Sequence, residues 1–140
     1  MRVGVDLVSV TRFQKALDRH RERFLARIFT ERERNLCSGD TRRLAGRFAS
    51  KEAVSKALGT GIGRLGISFQ DIEIDADEMG MPSVVLYGAA KARFSQLGCV
   101  SVALSISHEN EYAVAFCVMK TDTSASRETS AGGEGSANEG

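Results

Sequence analysis

Apolar and polar residues alternate in five short stretches of the chain, and such alternation predicts β-strands. The stretches are residues 2–8, 71–75, 82–86, 100–106 and 112–118. The first stretch places Val3, Val5 and Leu7 on one face and Asp6 on the other. Residues 108–111, between the last two stretches, predict a hairpin turn.

Elsewhere, apolar residues recur at the spacing of amphipathic helices. Helices are predicted to begin after Ser9, at Thr30, near Thr41 and at Gly88. Thr30 and Glu33 have the spacing of a capping box, and Gly59 follows the third and longest helix. The order β–α–α–α–β–β–α–β–β predicts an α+β domain in which a mainly antiparallel sheet packs against a long central helix.

Composition narrows the class of protein. The chain has 140 residues, of which 42% are hydrophobic and 26% charged, as expected for one globular domain, and no apolar run is long enough to span a membrane. The residues after Lys120 are mostly small and polar, so we expect a folded domain over 1–120 and a disordered low-complexity tail over 121–140. Three cysteines without metal-ligand spacing, and no signal-peptide pattern, lead us to expect a cytoplasmic location.

Charge is distributed unevenly along the chain. Residues 1–56 contain fourteen Lys or Arg and seven Asp or Glu, whereas residues 57–140 contain five and eleven. The net charge of +1 therefore hides a basic N-terminal half, for which we expect an anionic partner. Nucleic acid, a phosphate-bearing small molecule and an acidic protein all fit this expectation.

Two charged residues of the long helix fall where buried side chains are expected. On a helical wheel, Glu52 and Lys56 project toward the apolar stripe that begins at Leu44. An ordinary pair at this spacing would contribute only ~0.2–0.5 kcal/mol. Burial would instead demand a partner such as a metal ion or a phosphate.

Asp6 is an uncommon residue for a strand, and it adds a second carboxylate to the candidate site. Two carboxylates with room for water suit Mg²⁺, which retains several of its waters. The alternative is an exposed edge position without any ligand. The sequence alone does not show that Asp6 and Glu52 meet.

Two other segments are candidates for ligand binding. The glycine-rich residues 59–63 follow a helix, so they are not a P-loop, and phosphate there would need Lys56, Arg64 and backbone N–H groups freed by the glycines. His108 ends a strand at the sheet edge, where an imidazole could meet a ligand. Ser107 and His108 without a matched acid are weak grounds for a hydrolase triad.

Taken together, these residues resemble the holo-acyl-carrier-protein synthase family, the small 4′-phosphopantetheinyl transferases. The resemblance covers about residues 3–118, and its motifs are residues 4–8, 45–53, 55–61, 69–74 and 105–108. It implies the 4′-phosphopantetheinyl transferase fold. It also implies Mg²⁺-dependent transfer of 4′-phosphopantetheine from coenzyme A to a serine of an apo acyl carrier protein, which releases 3′,5′-ADP. Larger relatives carry a further acid where this chain has Val8, and this favours the small trimeric type.

The resemblance implies a role for each site residue. Asp6 and Glu52 would hold Mg²⁺, and Lys56 would hold the pyrophosphate. Binding of coenzyme A is further implied for Arg47, Gly59, Thr60, Gly61, Ser107 and His108. His108 would act across a subunit boundary of a homotrimer, and Arg12, Lys15 and Arg23 would face an acidic helix of the carrier. Glu52, a metal-bound water and His108 all stay open as the base that removes the serine proton.

A different class of function is the alternative hypothesis. The chain could be a non-catalytic basic module that binds nucleic acid or an acidic protein. Aromatic residues make up only 6% of the chain, which leaves little surface for stacking on bases. The type of carrier, fatty-acid or polyketide, stays open as well.

Overall fold

A computed structural model describes residues 1–122, which form five strands and five α-helices. The elements are β1 (Arg2–Ser9), α1 (Val10–Arg19), α2 (Arg21–Ile28), α3 (Glu31–Cys37), α4 (Thr41–Ala57), β2 (Ile72–Ala76), β3 (Pro82–Leu86), α5 (Gly88–Gln96), β4 (Cys99–His108) and β5 (Tyr112–Thr121). The predicted α+β class is confirmed, although the segment after α1 forms a separate helix, α2. The predicted tail lies, from residue 123 onward, outside the described residues.

All strand pairs in residues 1–122 are antiparallel. One sheet has the order β1-β5-β4, and β2 pairs with β3 in a second, two-stranded sheet. In the larger sheet, Asp6 lies opposite Ala115, which in turn lies opposite Ile106. The predicted hairpin between β4 and β5 is confirmed, and β4 continues two residues past its predicted end, to His108.

Local capping signals define the helix starts as predicted. The Ser9 side chain accepts from the Arg12 backbone N–H at the start of α1, and Thr30 and Glu33 form a complete capping box at the start of α3. Asp40 caps α4 by accepting from the Arg43 backbone N–H. These contacts lie within three or four residues of each other, so the sequence pattern alone could predict them.

The apolar side chains of β1 do not face the core. Val3, Val5 and Leu7 are 55%, 53% and 64% exposed, whereas the opposite face, which holds Gly4 and Asp6, packs against α4. Phe116 of β5, directly opposite Val5, is also largely exposed. One face of the larger sheet is therefore apolar and uncovered in the single chain.

Helix α4 packs closely on the sheet through small residues. Ala49, Ala53 and Ala57 recur every fourth residue and are buried in the core between α4, the sheets and α5. Leu44 and Ala45, nearer its start, join a second core with residues of α1, α2 and α3. The central position predicted for this helix is confirmed.

A buried ion pair joins α4 to α3. Lys51 Nζ lies 2.7 Å from Glu33 Oε1, and both side chains are 0% exposed. Lys51 also donates to the carbonyls of Ile28 and Phe69, and Glu33 accepts from the Ile74 backbone N–H. Burial lowers the pKa of the Lys51 ammonium, and the adjacent Glu33 carboxylate opposes that shift. The pair therefore connects four segments that surround α4.

The three cysteines, Cys37, Cys99 and Cys117, are buried and free. Burial raises the pKa of the Cys117 thiol to about 12. No helix in the described part of the chain has both the length and the apolar character needed to cross a membrane.

Candidate active site

An open cleft of about 590 Å³ is lined by the end of β1, by α4 and by the first two helices. Asp6 lines it from β1, Glu52 and Lys56 from α4, and Arg12 from α1. The structure thus brings together the two carboxylates and the lysine that the sequence analysis selected. Alternation along β1 directs Asp6 toward α4, and the four-residue spacing places Glu52 and Lys56 on one helix face.

Lys56 pairs with Asp6 and not with Glu52. Its Nζ donates to Asp6 Oδ1 at 2.9 Å and to the Val5 carbonyl at 3.2 Å. The expectation that Lys56 is buried is wrong, since its side chain is 50% exposed, whereas that of Asp6 is 17% exposed. Lys56 is close to the end of α4, where the helix face opens into the cleft. Its ammonium can therefore reach both a carboxylate and an incoming anion.

Glu52 lies in an environment that disfavours its negative charge. Burial raises the pKa of this carboxyl, the nearby Asp6 charge raises it further, and Lys56 partly offsets the shift. Two neighbouring carboxylates of this kind are stabilised by a cation that offsets their negative charge. The oxygen-only donor set fits Mg²⁺, which is usually bound by one or two carboxylates together with waters and substrate phosphates. Residues 1–122 contain no cluster of three or more His, Cys, Asp or Glu that could hold a metal, so water and substrate would supply the other ligands.

Aromatic rings form the apolar floor of the cleft. Phe13 contacts Phe24 and Phe48, with ring centroids 5.6 and 5.5 Å apart. All three rings line the cleft beside the carboxylates. Such a floor gives the site low local polarity, and low polarity strengthens the electrostatic interactions within it.

The predicted carrier-binding residues are on the outside of the first two helices. Arg12, Lys15 and Arg23 are all exposed. Arg12, however, also lines the cleft that contains Asp6 and Glu52. Arg12 is therefore close to the proposed metal ligands, because β1 leads directly into α1.

The glycine-rich segment does not present the freed N–H groups that phosphate binding there would need. The N–H groups of Gly59, Thr60, Gly61 and Gly63 donate to carbonyls of this chain, and the buried Thr60 hydroxyl donates to the Gly61 carbonyl. The φ angles of Gly59, Gly61 and Gly63 are all positive, which explains why glycines occupy these turn positions. Arg64 is exposed, so Lys56 and Arg64 are the groups of this region that can meet phosphate.

A second cleft, of about 390 Å³, contains the remaining candidates. It is lined by Arg43, Gly46, Arg47, Asp77 and His108, among others, and shares no lining residue with the first. Arg47 Nε also donates to the Ile74 carbonyl at 3.2 Å. Within one chain, therefore, Arg47 and His108 line a different cleft from the Asp6–Glu52 pair.

Ser107 and His108 cannot share a ligand on one face of the sheet. Ser107 pairs with Val114 on the exposed face, whereas His108 pairs with Ala113 on the face toward α4. Successive side chains of a strand project to opposite faces. The two residues project from opposite faces at the end of β4, and their contact with coenzyme A stays a prediction.

Two residues that shape the site were missed in the sequence. Lys51 lies seven residues after Leu44, on the same helix face, and this spacing could have marked it as the buried lysine. Gly4 interrupts a strand of larger residues, and a glycine there commonly marks the close approach of another backbone. The structure shows that approach, from the Ala53 carbonyl.

An α+β fold with two carboxylates and a lysine in a cleft at the C-terminal half of its first strand favours the class of phosphoryl-transferring enzymes. The family model of the 4′-phosphopantetheinyl transferase superfamily matches residues 2–117, and the chain belongs to that family. It is 47% identical over 122 residues to the holo-[acyl-carrier-protein] synthase of Halorhodospira halophila. The aligned region covers 85% of this chain and 96% of that protein. More particularly, then, the chain is an enzyme of the holo-[acyl-carrier-protein] synthase kind.

Solved structures agree with this assignment. The Helicobacter pylori holo-[acyl-carrier-protein] synthase in complex with coenzyme A superposes with a TM-score of 0.77 at 36% identity, over 84% of this chain and 99% of that one. The Bacillus anthracis enzyme, in complex with CoA (3′,5′-ADP), gives a TM-score of 0.70 at 40% identity, over 86% of this chain and 96% of that one. The predicted family and enzyme class are confirmed.

Proposed function

We propose that this chain transfers 4′-phosphopantetheine from coenzyme A to a serine of an apo acyl carrier protein in a Mg²⁺-dependent reaction that releases 3′,5′-ADP. One observation carries the proposal: Asp6, Glu52 and Lys56 converge in a single open cleft. The coenzyme A complexes of relatives support the choice of donor. The three free cysteines support a reducing, cytoplasmic location.

The residues of the cleft match the charge changes of this reaction. Asp6 and Glu52 would hold Mg²⁺, which, when bound, would neutralise negative charge on the pyrophosphate. The serine Oγ bonds to the phosphorus that carries the pantetheine arm, and the bond from this phosphorus to the bridging oxygen breaks. The leaving 3′,5′-ADP takes the electron pair, and Lys56 offsets the charge that develops on the bridging oxygen. The serine proton passes to a base, for which Glu52 is the candidate carboxylate in the same cleft.

We further propose that the active unit is a homotrimer with sites at subunit boundaries. Val3, Val5, Leu7 and Phe116 form an exposed apolar sheet face, and copies of this chain would cover it. Such an arrangement would allow the second cleft of a neighbouring chain, with its Arg47 and His108, to complete the site around Asp6 and Glu52. It accounts for the separation of these residues within one chain.

Carrier recognition would use the basic outer surface of α1 and α2. Arg12, Lys15 and Arg23 are exposed there, and Arg12 borders the proposed reaction cleft. Exposed positive charge attracts an acidic partner over a distance and raises the association rate. An acidic carrier helix on this surface would present its serine close to the proposed Mg²⁺ site.

The decisive experiment is incubation of the chain with coenzyme A, Mg²⁺ and an apo acyl carrier protein, followed by intact mass spectrometry. We expect the carrier to gain one phosphopantetheinyl group, and we expect chelation of Mg²⁺ to abolish the gain. An unmodified carrier, together with tight binding of a phosphate polymer that weakens steeply with salt, would instead favour the nucleic-acid module.

Mixing two inactive variants tests the shared site. Glu52→Gln and His108→Ala would each be inactive alone, because one lacks a proposed metal ligand and the other a proposed coenzyme contact. After unfolding and joint refolding, mixed trimers would contain sites with both native residues, so part of the activity should return. A mixture that stays inactive would contradict a site built from two chains.

A further inference from the structure

The backbones of β1 and α4 touch at Gly4, next to the carboxylate pair. A Cβ built on Gly4 would lie 2.0 Å from the Ala53 carbonyl oxygen and 2.7 Å from the Ala57 backbone nitrogen. Real Cβ atoms essentially never come within 3.0 Å of such atoms. The Gly4 Cα therefore lies within about 3.5 Å of the Ala53 oxygen, in the range of a weak Cα–H···O contact.

The position of this contact relates it to the site. Gly4 is two residues before Asp6 on the same face of β1, and Ala53 directly follows Glu52. The contacting atoms belong to a strand paired with β5 and to a helical turn, so neither backbone can move alone. The distance from β1 to α4 at Gly4 thus controls the distance from the Asp6 carboxylate to the Glu52 carboxylate.

We infer that Gly4 is a positioning residue for the divalent metal ion: its missing side chain sets the gap that Asp6 and Glu52 span. The inference rests on the proposed function, which assigns Mg²⁺ to this pair. Mg²⁺ demands near-ideal octahedral geometry with short bonds, so a small change in this gap matters. Any side chain at residue 4 would force β1 away from α4 by about 1 Å before the contact with Ala53 became tolerable.

Gly4→Ala is the direct test, with Mn²⁺ as the probe because carboxylate and water sites accept both ions. Free Mn²⁺ is measured by electron paramagnetic resonance during a titration of the wild type and the variant. We expect the variant to bind Mn²⁺ at least about 10-fold more weakly, because changes to groups that orient metal ligands weaken metal binding by about this factor. Adding Asp6→Glu to Gly4→Ala lengthens the carboxylate by one methylene and should restore part of the affinity.

Gly46→Ala is the matched control on the same helix. A Cβ there would approach the Ile106 Cγ2 atom at 3.1 Å and His108 at 3.7 Å, so it would also press α4 against the sheet. This contact lies two strands away from Asp6, at the sheet edge, and involves side chains, which can adjust. We expect Mn²⁺ affinity within about twofold of the wild type. A comparable loss in Gly46→Ala would overturn the specific role of Gly4.

A second pair of variants covers the case in which Gly4→Ala does not fold. Glu52→Asp shortens one carboxylate by a methylene without touching the backbone contact, and it should weaken Mn²⁺ binding while the unfolding temperature stays unchanged. The double variant Asp6→Glu with Glu52→Asp keeps the summed length of the two carboxylate side chains, so it should recover Mn²⁺ affinity. An unaffected Glu52→Asp, or a double variant without recovery, would overturn the inference.

The outcomes distinguish this inference from the proposed function. A folded Gly4→Ala variant that binds Mn²⁺ like the wild type would overturn the role of Gly4 and leave the metal assignment intact. If the wild type binds no Mn²⁺, or if Glu52→Gln binds Mn²⁺ as tightly as the wild type, the metal assignment fails. The inference about Gly4 then fails with it.

Discussion

Replacing Lys51 by methionine should destabilise the domain strongly, because it would leave the Glu33 carboxylate buried without its counter-charge. Both side chains are 0% exposed and their charged atoms are 2.7 Å apart. Removing one partner of a buried pair typically costs about 3–5 kcal/mol. Since the free energy of unfolding of a domain is only about 5–15 kcal/mol, the variant would lose about a fifth or more of its stability.

A double-mutant cycle separates the charge effect from lost packing. Glu33→Gln alone should also be costly, since it leaves a buried ammonium and puts an amide NH₂ where a carboxylate oxygen accepts hydrogen bonds. The double variant Lys51→Met with Glu33→Gln removes both charges, so its loss should be about 2 kcal/mol or more below the sum of the single losses. It would not reach the wild type, because the Ile28 and Phe69 carbonyls still lose their donor, at about 1 kcal/mol each.

The assay is urea unfolding followed by circular dichroism at one fixed protein concentration, which keeps any contribution from assembly constant. Lys56→Met is the matched control on the same helix. Its side chain is 50% exposed, so its ion pair with Asp6 should contribute under about 1 kcal/mol. Equal losses for Lys51→Met and Lys56→Met, or single losses that simply add in the double variant, would refute the reasoning.

Three further predictions concern catalysis, carrier binding and acid stability. Glu52→Gln should keep the fold and reduce transfer by about a hundredfold or more, as the loss of a metal ligand implies, in a mass-spectrometric assay at limiting Mg²⁺. The double variant Arg12→Glu with Lys15→Glu should raise the KM for the carrier, and this rise should be smaller at high salt. Because Arg12 borders the cleft, we also expect a smaller rise in the KM for coenzyme A. The Arg43 backbone N–H holds the pKa of Asp40 below its usual range, so the stability that this cap adds at neutral pH is lost as pH falls through the lowered pKa. Asp40→Ala should therefore cost about 1 kcal/mol at pH 7 and progressively less in acid, in urea unfolding at several pH values.

Features that depend on near neighbours in the chain could be predicted from the sequence. The Ser9 cap, the Thr30 capping box and the end of α4 before Gly59 all depend on residues within one helical turn. The placement of Asp6 toward α4, and of Glu52 and Lys56 on one helix face, could also be predicted, because the alternation of a strand and the pitch of a helix determine which side chains share a face. Their meeting in one cleft needed the tertiary structure.

Features set by distant partners could not be predicted in this way. A helical wheel gives the directions in which Lys51 and Lys56 project, but it does not show which part of α4 the other elements cover. For this reason the sequence analysis predicts burial for Lys56, which is exposed, and not for Lys51, which is buried. The same limit applies to His108, whose strand and edge position were correct. Its distance from Glu52 depends on how β4 is placed relative to α4, and nothing local to either segment encodes that.

Strand β1 links the proposed assembly to the proposed chemistry. Its odd positions, Val3, Val5 and Leu7, form the uncovered apolar face, and its even positions, Gly4 and Asp6, meet α4. A slip of one residue against β5 would exchange the two sets, which would bury valine at the carboxylate pair and expose aspartate on the apolar face. One register therefore fixes both surfaces. This explains why a strand with only one polar side chain between Val3 and Val8 can be apolar toward solvent in the single chain and still carry a proposed metal ligand on its inner face.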